Sequence, residues 1–356
     1  MDFALSDEQQ MIADTARVFF TENATSERTR RAMAAGGPDA GIDRELWRVF
    51  CTELGLSGIG ITETAGGAGL GLVELALVAE AAGAQVAALP MLGSLALCAQ
   101  AVAAGGTATQ RAAILPALLS GEAIAAYVHD PALRAEGDAL SGESRFVLHG
   151  GAAQWFVVTS NSGAWIVPAD APGVTVRIQT TMDQTRPLAS VTLAGTPGQP
   201  LADSATAIAR AHTCGFITLA AEALGGAQAT LDRTVAYARE RVQFGRPIAS
   251  FQAYKHRLAD MMIEIEQARS AVWWAACAVD EASDEAEIAV HAAKAFCADT
   301  FHMCAGNMIQ LHGGIGFTWE HDAHLYFKRA RAIMSSLGDG AWHREQVATH
   351  ILGALA

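Results

Sequence analysis

The stretch "RVQFGRPIASFQAYKHRLADMM", residues 241–262, sets two arginines around a Phe-Gly pair. A proline and a glutamine follow, just where a long amphipathic helix begins. A plain helix–helix connection accounts for Gly245, which turns freely, and for Pro247, whose missing N–H is no loss near a helix start. It does not account for Arg241, Phe244, Arg246 and Gln252 grouped so closely. A guanidinium fork suits a pyrophosphate, and an exposed aromatic suits a flat ring system.

Helices flank this stretch on both sides. Upstream, residues 203–245 carry one long helical pattern, with Gly225 and Gly226 as close-packing points. Downstream, Phe251, Tyr254, Leu258, Met261, Met262, Ile265, Ala268 and Val272 recur at helical spacing and form a bundle face. A second unusual cluster, "MIQLHGGIGFTWEHDAHLYFKRARA", spans residues 308–332. Gly313 and Gly314 there let backbone N–H groups approach a ligand, and Gln310 and His312 flank them.

The rest of the chain divides by pattern. Residues 1–121 are expected to be helical, with Ser6 and Gln9 as a capping box and an amphipathic segment at 43–56. A glycine-rich turn then precedes a helix; it lacks the GxGxxG of a phosphate loop and is expected to lie near a site. Residues 122–200 hold short Val-, Ile- and Thr-rich runs separated by Gly, Pro, Asn and Asp, the pattern of a small antiparallel β domain. Residues 201–356 return to helix. The predicted fold is α+β and multidomain: a helical N-terminal domain, an antiparallel β-barrel-like middle domain and a C-terminal four-helix bundle.

Composition sets limits on function. Of 356 residues, 51% are hydrophobic and 17% charged, enough to bury a large core. A net charge of −13 argues against nucleic acid, which needs clustered Lys and Arg. No uninterrupted apolar run long enough to span a membrane is expected, and the acidic, polar opening "MDFALSDEQQ" is not expected to act as a signal peptide. The six cysteines show no CxxC or paired spacing, so they are expected to be buried, reduced thiols of a cytoplasmic protein, with no metal site.

Taken together, the "DFxLSDEQ" opening, "TMDQTRPLA", "YARERVQFGRPIASFQAYKHRLADM" and "QLHGGIGFTWEHDAHLYFKRA" resemble the acyl-CoA dehydrogenase family over nearly the whole chain. The resemblance implies a noncovalent FAD enzyme that oxidises an acyl-CoA thioester to the α,β-enoyl product. It also implies transfer of the electrons to an electron-accepting flavoprotein. It assigns FAD binding, shared between subunits, to Arg241, Phe244, Gln252, Gln310, Gly313 and Gly314. The family's catalytic glutamate is absent. Gly338 takes its position, with Asp339 following, and Gly215 takes the alternative position on the first bundle helix. Asp339 and Glu222 are therefore the candidate bases. Asp339 can equally be a helix cap, and Glu222 a structural carboxylate. His129-Asp130-Pro131 replaces a flavin-facing Thr-Glu-Pro, and Leu148 replaces a threonine. These departures resemble short subunits of bacterial steroid and bile-acid side-chain breakdown, some of which pair as unlike subunits. Three readings stay open: a homo-oligomeric dehydrogenase, an incomplete partner of an unlike subunit, and a flavin enzyme with another substrate.

Overall fold

The computed structural model describes residues 4–160 and 162–353; Asp2 and Phe3 of the quoted opening lie outside them. Six helices come first: α1 (Asp7–Asn23), α2 (Ser26–Ala34), α3 (Arg44–Thr52), α4 (Leu72–Ala84), α5 (Gln100–Gly105) and α6 (Ala108–Leu119). Strands β1 (Ala125–His129), β2 (Arg134–Glu136), β3 (Ala139–Leu148) and β4 (Trp155–Ser160) follow. Next come β5 (Gly163–Pro168), β6 (Val174–Ile178), β7 (Leu188–Pro197) and β8 (Gln199–Pro200). The chain then forms α7 (Ser204–Glu240), the short strands β9 (Val242–Gln243) and β10 (Arg246–Pro247), and α8 (Gln252–Asp280). It closes with α9 (Ala286–His312), α10 (Ala323–Ser335) and α11 (Gly340–Leu352). Mixed helix and sheet, with helical first and last parts, is the expected fold class.

Two compact units arise from this order. The first takes residues up to 26, residues 72–87, and those from 216 onward. Its helices start and stop on local signals. Ser6 Oγ accepts from Gln9 N at 3.2 Å and Gln9 Oε1 accepts from Ser6 N at 3.1 Å, the expected capping box. At the N-terminus of α4, Asp280, at the end of α8, accepts from Leu72 N at 2.8 Å and Val73 N at 3.0 Å. At the other end of α4, Tyr326 Oη donates to Ala84 O at 2.8 Å. The expected close-packing points on α7 are real. A Cβ on Gly225 would run into the Glu80 carbonyl of α4, and one on Gly226 into the Phe301 ring of α9. Around α9 pack α8, α10 and α11. Of the predicted α8 face, Met261, Ile265, Ala268 and Val272 are buried, whereas Met262 is exposed. It lies one residue off the stripe, about 100° round the helix.

The second unit holds residues 27–71 and 88–215. Its strands form two four-stranded sheets, ordered β1-β4-β5-β8 and β2-β3-β7-β6. Phe156, Val158, Trp165, Val167, Val191 and Leu193 lead their shared core. Each such side chain contributes about 1.5–3 kcal/mol on burial. Two features depart from the sequence expectation. The first strand, β1, went unforeseen because four of its five residues are buried, which removes the alternation that marks a half-exposed strand. It also pairs with β4 in parallel, Ala125 opposite Trp155, in a region expected to be antiparallel throughout. The chain between them runs through the other sheet, so no tight turn forces the antiparallel sense. All six cysteines are buried and free, and burial pushes the Cys51 and Cys304 thiols up to about 12. Among the described residues no helix is long and apolar enough to cross a membrane.

Candidate functional site

The quoted stretch folds as a two-residue hairpin between α7 and α8. Gln243 pairs with Arg246 and Val242 with Pro247. Both turn residues lie at positive φ, +53° at Phe244 and +77° at Gly245. That is the mirror-image turn whose twist suits a tight hairpin. Glycine accepts it freely; for phenylalanine it costs about 1–2 kcal/mol. The strained ring is 92% exposed. It meets the Phe251 ring edge-on at 6.1 Å, and the Arg246 guanidinium lies 4.1 Å from the Phe251 centroid.

The glycine cluster sits at the same end of the bundle. Tyr237, one helical turn before Arg241, stacks on His312 with centroids 4.4 Å apart, and its hydroxyl donates to His312 O at 3.3 Å. Tyr254, two residues past Gln252, donates to Leu311 O at 2.5 Å. Arg241, Gln252, Gln310, Gly313 and Gly314 are thereby brought to one surface. All five are exposed, and the side chains of Arg241, Gln252 and Gln310 take no partner among the described residues. Gly313, at φ +62° and ψ −141°, adopts a backbone open essentially to glycine alone. A Cβ on Gly313 or Gly314 would meet nothing within 4 Å, so the surface above them is free. The N-terminus of α8 lacks both a side-chain cap and an acidic residue in its first turn. Its N–H groups and dipole favour an anion. An unspent guanidinium, an uncapped helix start and two bare glycines fit a diphosphate.

The two candidate bases lie elsewhere in the same unit, and both are engaged. Asp339 caps α11, its carboxylate accepting from Trp342 N at 2.8 Å. Glu222, on α7, forms an ion pair with Arg329 of α10; they are 4% and 2% exposed. Gly338 has φ +95°, and a Cβ there would lie 2.5 Å from the Trp342 ring. The loop before α11 is held by side chains that the sequence reading did not single out. Buried Lys294 donates to Gly338 O, and His343 Nε2 lies 3.1 Å from Leu337 O. His343 Nδ1 is 2.8 Å from His291 Nδ1. Burial lowers the Lys294 pKa to about 8 and that of His343 to about 3, where the Lys294 charge acts in the same direction. The one sequence signal was His291 and Lys294 three residues apart on a helix.

In the second unit, His129 Nδ1 is 2.9 Å from Thr159 Oγ1, and burial lowers its pKa. Tyr127 Oη is 3.3 Å from His212 Nε2. Asp130 accepts from Ala132 N at 2.8 Å in a local turn, and Leu148 ends β3, paired with Leu188.

Residues 6–122 match the acyl-CoA dehydrogenase N-terminal domain and residues 205–352 the acyl-CoA dehydrogenase C-terminal domain. The chain belongs to the acyl-CoA dehydrogenase family. It is 33% identical to acyl-CoA dehydrogenase IpdE2 of Mycolicibacterium smegmatis, over 94% of this chain and 96% of that protein. It is 37% identical to IpdE2 of Mycobacterium tuberculosis, over 91% of each. Among solved structures, the ChsE4-ChsE5 complex from Mycobacterium tuberculosis superposes with a TM-score of 0.90 at 28% identity, covering all of both chains. A variant of the Tcur3481-Tcur3483 steroid ACAD gives 0.88 at 31% identity, covering 97% of this chain and 98% of that one. This acyl-CoA dehydrogenase is an oxidoreductase by family.

Proposed function

We propose that the chain holds FAD against the hairpin and glycine cluster and dehydrogenates an acyl-CoA thioester between Cα and Cβ. The observation that carries this reading is the convergence of Arg241, Gln252, Gln310, Gly313 and Gly314 on one surface, with the side chains of Arg241, Gln252 and Gln310 taking no partner among the described residues. Arg241 grips the diphosphate with two N–H donors, and the α8 N-terminus adds a fixed partial positive charge. The bare glycines would let the cofactor approach the backbone closely, Gln252 and Gln310 would donate and accept, and Phe244 would cover a flat ring. When bound, the flavin supplies the acceptor for the β-hydride. An electron-accepting flavoprotein would take up the electrons. A steroid-derived acyl-CoA is the first substrate to assay, given the steroid ACAD among the structural neighbours.

The surface that carries these residues is also one for association. Phe244, Ile315, Phe317 and Trp319 all stand exposed around the cluster, and grouped exposed apolar side chains mark association surfaces. A second reading, an incomplete partner of an unlike dehydrogenase subunit, is favoured by the engagement of both candidate carboxylates, Asp339 and Glu222. Flavin content separates the two. The chain expressed alone is expected to bind FAD and scatter light as a dimer or larger. Arg241→Ala and Arg241→Lys should both weaken binding, because an ammonium cannot fork. A chain that stays colourless with added FAD overturns the first reading; a flavin-bound, active monomer removes the association.

A further inference from the structure

Helix α9 ends at the surface that carries the glycine cluster, since Gly313 and Gly314 follow directly on His312. The last carbonyls of a helix have no partner within it and together act as about half a negative charge. Left bare, such an end repels a diphosphate. No lysine or arginine stands in the last turn of α9 to offset it; the basic residue there is His312. Its Nδ1 lies 2.7 Å from Met308 O, and a carbonyl only accepts, so that nitrogen donates. Burial lowers the His312 pKa, so the ring adds no full charge near pH 7.

The carbonyls are covered in another way. Gln310 O accepts from Gly313 N. Leu311 O accepts from Tyr254 Oη at 2.5 Å, and His312 O from Tyr237 Oη at 3.3 Å. The last two carbonyls of α9 thus take hydroxyl donors from two other helices, α8 and α7. Burial pushes the Tyr254 hydroxyl up to about 12, so it keeps its proton. Water could cover the same carbonyls in the free protein, but a cofactor that settles on this surface expels water. Donors built into the fold stay in place, and the carbonyls are not left unpaired against an anion.

We infer that Tyr237 and Tyr254 are positioning residues for the anionic cofactor: their hydroxyls mask the negative end of α9, so that a diphosphate can lie beside Gly313 and Gly314. The inference rests on the FAD reading above. Each tyrosine acts through the carbonyl it covers. Tyr254 also sits in the first turn of α8, so the anion-attracting start of that helix and the masked end of α9 share one side chain.

The test is calorimetric binding of FAD, ADP and adenosine to flavin-stripped wild type, Tyr237→Phe, Tyr254→Phe and the double variant. It is run at about 0.05 M and about 0.5 M salt, the second of which screens exposed charges strongly. Phenylalanine keeps each ring and removes only the hydroxyl. At low salt each single variant is expected to weaken FAD and ADP about two- to fivefold, and the double variant about tenfold. Adenosine, which carries no phosphate, should bind as before, and the losses for FAD and ADP should shrink at high salt. A merely loosened helix end would weaken all three ligands alike at either salt. A double variant that binds FAD within about twofold of wild type overturns the assignment and leaves the FAD reading standing. So does an equal loss for ADP and adenosine, or, where adenosine binds too weakly to measure, a loss of FAD affinity that is the same at both salts. A wild type that binds no FAD overturns that reading and the assignment with it. Should the double variant fail to fold, the single variants decide by the same comparisons.

Discussion

Glu222→Gln is the substitution that best separates structure from chemistry in this chain. Both partners of the Glu222–Arg329 pair are almost fully buried, at 4% and 2% exposure. Amide for carboxylate keeps the shape and leaves the Arg329 charge buried without its counter-ion. Breaking such a pair costs about 3–5 kcal/mol. With an unfolding entropy near 2.1 cal/mol/K per residue, the melting point should fall by about 4–7 °C if the whole chain unfolds together. It should fall by about twice that if the bundle unit, roughly half the residues, unfolds alone. The assay is urea and thermal unfolding of the wild type, Glu222→Gln, Arg329→Met and the double variant Glu222→Leu/Arg329→Met. The double variant should recover most of the loss, since an apolar pair of similar volume needs no desolvation of charge. A Glu222→Gln protein as stable as wild type but unable to reduce its flavin with an acyl-CoA would refute the structural assignment. It would return Glu222 to the catalytic role.

Other perturbations follow from the same geometry. Lys294 has a folded pKa near 8, below its ordinary 10.5. The unfolded state therefore binds more protons between those values, and stability should rise as pH goes from about 8 to 10. Lys294→Met should flatten that rise in urea unfolding. For His343, with its value near 3 against 6.5, the same sign means stability is lost as pH falls from 6.5 toward 3. His343→Leu should move acid unfolding to lower pH. Gly313→Ala puts alanine where φ is +62° and ψ −141°; flavin retention on a desalting column should drop, at a stability loss of about 1–3 kcal/mol. Gly225→Ala forces a methyl against the Glu80 carbonyl and should destabilise by about 1–3 kcal/mol in thermal unfolding.

Local signals in the sequence were legible; long-range ones were not. The Ser6–Gln9 box, the Phe244-Gly245 turn and the Gly225-Gly226 contact are each written within a few residues, and each appears where it was expected. The flavin-type cluster could be guessed as two stretches, but only Tyr237 on His312 and Tyr254 on Leu311 show why they share a surface. Strand β1 escaped because burial on both faces erases periodicity. The engagement of Glu222 could not be foreseen, since Arg329 lies 107 positions away. His291 and His343 are 52 apart, and Lys294 and Gly338 44. Nothing in either neighbourhood announces those meetings.

The tie between Asp280 and the start of α4 has a consequence for synthesis. Helix α4 buries nine of its thirteen residues, and although α1 is already made when it emerges, its cap and the second helix that packs on it, α8, are encoded about two hundred residues later. At about 5–20 residues per second on the ribosome, an apolar α4 waits about 10–40 s before α8 emerges. During that interval the nascent chain carries α4 with α1 beside it but without the cap and cover that α8 supplies. The growing chain should then be a strong client for holding chaperones, and release from them should track the appearance of α8 rather than the completion of the first hundred residues.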